Sequence, residues 1–83
     1  MKTENISAEV KQAKKEGKEV IRWGELFLIE TEARFPAKPL EIQFGRYRMR
    51  GWSVGEDVYI VEALSHPQYP NPDLRGKVFK VPL

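Results

Sequence analysis

The densest chemistry in this 83-residue chain lies in Phe44-Gly45-Arg46-Tyr47-Arg48-Met49-Arg50-Gly51-Trp52. On an extended backbone, residues two apart share a face and stand about 6.6–7 Å from one another. Arg46, Arg48 and Arg50 then form one row, close to the spacing of phosphates along a nucleic-acid strand, with Trp52 next in line. Guanidinium forks bind phosphates bidentately, and aromatic rings stack on unpaired bases. Arg22-Trp23 repeats the basic–aromatic pair earlier in the chain, and Tyr47 lies inside the row. These residues together point to contact with nucleic acid. The competing reading is structural. The arginines can pair with Glu25, Glu30, Glu32 or Glu62 on neighbouring strands, while Tyr47, Met49 and Trp52 fill a core.

A second constellation is the segment from Ser65 to Gly76, with Pro67, Pro70 and Pro72 around Tyr69. Prolines stiffen a loop and lower the cost of ordering it on a partner. Tyrosine and arginine are favoured interface anchors, so Tyr69, His66 and Arg75 are the candidate residues of a protein interface. His66 is the only histidine, and a triad or metal site built on it needs partners that the sequence does not display. Its setting, Ser65-His66-Pro67, reads as a loop residue. Glu30 and Glu32 share a strand face and Glu62 can join them, but no glycine-flanked loop or aspartate cluster accompanies them. There is no Walker loop, dinucleotide fingerprint or Gly-x-Ser-x-Gly turn. The expectation is a binding module, not an enzyme, with no cofactor and no metal. Its first expected partner is nucleic acid, and the alternative is a protein partner, as for an adaptor, an inhibitor or an assembly subunit.

Composition narrows the setting. Without cysteine there is no disulfide framework, thiolate metal site or cysteine nucleophile. Small secreted domains usually need such staples, so a reducing, cytoplasmic location is expected. No apolar h-region follows Met1-Lys2-Thr3-Glu4-Asn5, and the longest apolar run is Leu26-Phe27-Leu28-Ile29, so neither export nor membrane insertion is expected. The net charge is only +2, but it is unevenly placed: residues 40–52 set three arginines against the single acid Glu41. The mean hydropathy of −0.53 and the 41% hydrophobic content suit one small globular domain over residues 1–83. The oligomeric state is left open.

The elements that must position these groups follow from periodicity. Ile6, Val10, Ala13 and Gly17 fall on one face of a helix over residues 6–16, with Ser7 as N-cap and Gly17 at C′. Residues 20–31 are rich in β-branched and aromatic residues and read as a strand, although Leu26, Ile29 and Ala33 also share a helical face over 25–34. Arg34 to Pro39 is a proline-marked connector. From Leu40 to Trp52 the alternation changes phase: Leu40, Ile42 and Phe44 are apolar, then Tyr47 and Met49. A regular strand cannot swap faces, so a bulge, bend or turn is expected at Phe44-Gly45. Ser53 to Glu56 is a turn, Glu56 to Leu64 a strand, and Lys77 to Val81 a closing strand.

The stretch Val54-Gly55-Glu56-Asp57-Val58-Tyr59-Ile60 and the closing Leu74-Arg75-Gly76-Lys77-Val78-Phe79-Lys80-Val81 resemble SH3-like and PUA-like barrels, in which a tight turn feeds a strand and a Gly-Lys-Val strand closes the sheet. The resulting expectation is a mostly-β α+β domain. It consists of a small SH3-like or PUA-like bent sheet or β-barrel of four to five strands, over residues 20–83, with one N-terminal amphipathic helix.

Overall fold

The computed structural model describes residues 2–34 and 38–82, the first six of these by backbone alone. Helix α1 (Lys2–Lys15) precedes strands β1 (Val20–Trp23), β2 (Leu26–Thr31), β3 (Leu40–Phe44), β4 (Tyr47–Val54), β5 (Asp57–Ser65) and β6 (Val78–Val81). They form a mostly-β α+β arrangement with one antiparallel sheet in the order β1-β2-β6-β5-β4-β3. The expected four to five strands are thus corrected to six among the described residues, and the sheet is not closed into a barrel.

The helix ends where its residues dictate. The Lys18 N–H donates to the Ala13 carbonyl at 2.9 Å and the Gly17 N–H to that of Lys14 at 3.1 Å, the paired bonds of a Schellman cap. Val10 and Ala13 are buried against Ile29, Val20 and Phe27, so the thin apolar face does dock on the sheet. The N-terminal boundary differs from expectation. The helix starts at Lys2, which puts Ser7 inside it instead of at its cap. The side chains of Ile6 and Ser7 lie outside the described residues, as do Phe35, Pro36 and Ala37 of the connector.

Residues 20–31 are a hairpin, not one strand. Gly24-Glu25 connects β1 to β2, with Val20 opposite Ile29 and Trp23 opposite Leu26. The phase change at Phe44-Gly45 resolves as the turn of the β3–β4 hairpin, with Phe44 opposite Tyr47. In both two-residue loops a positive-φ glycine comes first (φ 59° at Gly24, 61° at Gly45) and no positive φ follows, the arrangement of a type II′ turn.

The core lies on the inner face of the sheet: Trp23, Leu28, Tyr47, Met49, Ile60, Ala63, Leu74, Phe79 and Val81. In a flat sheet, Trp23 on β1 and Tyr47 on β4 would stand roughly 19 Å apart, four strand spacings of about 4.8 Å. Their ring centroids are 5.0 Å apart, edge to face. The sheet is therefore strongly curled, and two features of β5 help to bend it. Its register against β4 slips between Arg48 and Met49 and again between Arg50 and Gly51. The extra residues, Leu64 and Val61, are bulges, which kink a strand and increase its twist.

The long connection from β5 to β6 is fastened to this core. Leu74 is buried within it and Tyr69 packs against it. The Tyr47, His66 and Tyr69 rings form a cluster, with centroids 4.4 Å (Tyr47–His66) and 4.6 Å (His66–Tyr69) apart.

Opposite charges hold the far end of the connection. Arg75 bridges to Glu19, and Lys77 lies 3.3 Å from Glu30. The backbone N–H of Glu19 donates to the Glu30 carboxylate at 3.3 Å, and this bond, followed by Lys77, lowers the Glu30 pKa below its usual 4.5. A depressed folded-state pKa contributes stability that is present above about pH 4.5 and lost as pH falls through the folded value. Thermal midpoints measured from about pH 5 to about pH 3 are expected to fall less steeply in Glu30→Gln than in the parent. Parallel curves would mean that this carboxylate does not contribute to the acid limb.

Candidate nucleic-acid interface

The inner and outer faces of β4 sort its residues by parity. Tyr47 and Met49 point into the core, and Arg48 and Arg50 point outward and are exposed. Arg46 is also exposed, but it occupies the second position of the β3–β4 turn and is not part of the strand row. The expected row of three is therefore a pair on β4 with a third arginine at the hairpin tip.

The partners of these groups differ. Arg48 donates from Nη2 to Glu41 Oε2 at 2.9 Å across the hairpin, with both side chains more than half exposed. An exposed pair of this kind is screened and contributes little to stability, so a phosphate can compete for the guanidinium. Arg50 sits between Glu41 on β3 and Glu62 on β5 in register, yet neither carboxylate closes an ion pair with it. Arg46 and Arg50 have no carboxylate partner among the described residues.

Trp52 continues the outer face and is half-buried. Its register partner is Tyr59 on β5, also half-buried and not anticipated as a site residue. The alternation within Val58-Tyr59-Ile60 could have placed it there, since Val58 and Ile60 both belong to the inner core.

Three of the expected site residues lie elsewhere. Trp23 is 1% exposed and Tyr47 is a core residue, so neither ring offers a face to a base. The Tyr47 hydroxyl instead accepts the Glu25 N–H at 3.0 Å and ties the β1–β2 turn to β4. Arg22 is on the opposite edge strand from β3, where its guanidinium covers the Phe27 ring at 5.0 Å and its Nε donates to the Gly24 carbonyl at 2.9 Å.

The expected protein-facing residues are also engaged within the fold. Tyr69 stacks on Tyr47, His66 Nδ1 accepts the Gln68 N–H at 3.0 Å, and Arg75 bridges to Glu19. Among the described residues the large exposed hydrophobic side chains are Leu40, Phe44 and Val54, none of which the sequence singles out as a contact residue.

One cleft, of about 400 Å³, lies between α1 and the outer face and is bounded by Tyr59. Its charges answer one another. Lys80 lies 3.3 Å from Glu9 and 3.9 Å from Asp57. Partial burial pulls the Lys80 pKa down, but the Glu9 hydrogen bond and the two carboxylate charges outweigh it and hold the amine above its usual 10.5. Among the described residues no three histidine, aspartate or glutamate side chains are grouped as metal ligands, and no helix is long and apolar enough to cross a membrane.

No protein-family model matches the chain, and neither a curated protein nor a solved structure matches it.

Proposed function

We propose that the protein is a non-catalytic binding module that contacts nucleic-acid phosphates through the outer face of the β3–β4 hairpin. In this reading the curled sheet is an open counterpart of the SH3-like and PUA-like binding barrels. The observation that carries the proposal is the shared exposure of Arg46, Arg48 and Arg50 on one hairpin, with Arg46 and Arg50 free of carboxylate partners among the described residues. Arg48 and Arg50 at strand spacing, with Arg46 at the hairpin tip, offer three guanidinium groups to successive phosphates, and Trp52, next on the same face, supplies the aromatic surface for an adjacent base.

Fluorescence anisotropy with labelled single-stranded RNA and DNA tests the proposal. Each phosphate contact to a single strand contributes about 0.7 to the slope of log affinity against log salt, so three contacts give a slope of about −2. The triple variant Arg46→Ala/Arg48→Ala/Arg50→Ala is expected to lose binding while keeping the parent circular dichroism spectrum. Absence of parent binding at low salt, or full binding by the triple variant, rejects the proposal.

Exposed Leu40, Phe44 and Val54 around the same hairpin favour a second reading, in which this end of the sheet meets a protein surface.

A further inference from the structure

β3 is the last strand in the sheet order, and among the described residues it pairs only with β4. Leu40, Ile42 and Phe44 stand opposite Gly51, Met49 and Tyr47, so all three share the inner face of the sheet. Leu40 is nevertheless 70% exposed and Phe44 40%, while Ile42 between them packs against the core.

An edge strand presents unpaired N–H and C=O groups, and proteins usually guard such edges with proline, lysine, a bulge or a covering element. β3 contains neither proline nor lysine, and its register against β4 is unbroken. The other edge, β1, has four residues, its inner-face Trp23 is buried, and α1 packs beside it.

We propose that β3 pairs antiparallel with β3 of a second copy of this chain, centred on Ile42, joining two sheets into one. The sequence of the strand is complementary to itself about that point. Leu40 meets Phe44 of the second copy, Ile42 meets Ile42, and Glu41 meets Gln43. Apolar side chains then oppose one another on the inner face, a carboxylate opposes an amide on the outer face, and no like charges stand directly opposite. A shift of one residue sets apolar against polar on both faces, and a shift of two either opposes Glu41 to Glu41 or leaves Leu40 without a partner on the strand, so pairing about Ile42 keeps the most matched pairs. Glu41 lies between Arg50 of its own β4 and Gln43 of the second copy. The outer faces of the two hairpins become continuous, and this pairing holds whether or not that face binds phosphates.

Sedimentation equilibrium of the full chain over a concentration series provides the test. The mass is expected to rise from 9.6 kDa toward twice that value. Leu40→Lys/Phe44→Lys sets lysines opposite one another and is expected to remain a monomer. Leu40→Lys/Phe44→Glu sets a lysine opposite a glutamate only in the antiparallel register and is expected to restore the dimer.

A parent chain that stays monomeric at every soluble concentration overturns the proposal, as does a dimer indifferent to the double lysine change. Failure of the lysine–glutamate variant to dimerise while folded also overturns it. If the variants lose their strand signal in circular dichroism, amide exchange in the parent decides. Slowing of the β3 amides with rising concentration supports the pairing, and unchanged β3 exchange overturns it.

Discussion

Gly51→Ala is expected to leave most of the protein unfolded at room temperature. Gly51 sits on the inner face of β4, at the second register slip, opposite Ile60. A Cβ at this position would overlap the Tyr59 carbonyl oxygen and lie 2.7 Å from Ile60 Cα. Both obstacles are backbone atoms of the paired strand, so no side-chain rotation relieves them. Overpacking that side chains can absorb costs about 1–3 kcal/mol. Separating β4 from β5 forfeits ladder bonds as well, and a domain this small has about 5 kcal/mol in total.

Gly55→Ala is the control. Its positive φ of 61° is strained for alanine, but a Cβ there meets nothing within 4 Å. Its expected cost is about 1–2 kcal/mol, that of a single left-handed residue. Urea unfolding followed by circular dichroism compares the two. Equal midpoints for Gly51→Ala and Gly55→Ala would show that β4 and β5 do not approach as closely as the bulge requires.

Trp23→Ala is expected to remove about 3–5 kcal/mol, the usual range for deleting a large buried ring. Trp23 is among the largest fully buried side chains, and its edge-to-face contact with Tyr47 brings β1 against β4 across the curl. Its indole Nε1 is buried with no acceptor among the described residues. A buried donor without a partner costs about 1–3 kcal/mol in desolvation. Trp23→Phe removes that donor and keeps most of the ring, so it is expected to lose far less stability than Trp23→Ala. Denaturant midpoints decide between them. Equal losses in the two variants would mean that the indole itself, and not ring volume, holds the curl.

Periodicity made part of this fold legible. The change of phase around Gly45 marked a turn because β3 and β4 each cover one face only, so their apolar positions report parity cleanly. The same change occurs at Gly24, where the inner residues pass from Ile21 and Trp23 to Leu26 and Leu28. It was masked because Phe27 and Ile29 are apolar too, being covered by α1 on the outer face. A strand covered on both sides loses its alternation, and a hairpin then reads as one long strand. The bulges of β5 were invisible for a related reason: Val61 and Leu64 are as apolar as the residues they displace from register.

The candidate site divides along the same line. Alternation places Arg48 and Arg50 together on the outer face, but parity does not carry through a turn, so Arg46 in the β3–β4 turn falls outside the row that its spacing suggests. Burial decided the aromatics. Tryptophan and tyrosine serve equally as core or as stacking surface, and only the curl that joins Trp23 to Tyr47 commits both to the core. The exposure of Leu40 and Phe44 depends on β3 being last in the sheet, and strand order is not written in hydrophobic periodicity.

The place of β6 in the sheet has a kinetic consequence. It is the sixth strand in the chain but the third across the sheet, between β2 and β5. The β1–β2 hairpin and the β3–β4–β5 meander can each form from neighbouring residues. Their strand ladders meet through β6, in pairs such as Ile29 with Lys80 on one side and Ile60 with Phe79 on the other. The entropy of closing these long loops must be met before the contacts are gained. Until the last strand arrives, β2 and β5 each present an open edge, so folding speed and the risk of misassociation both turn on how quickly Val78–Val81 finds its slot.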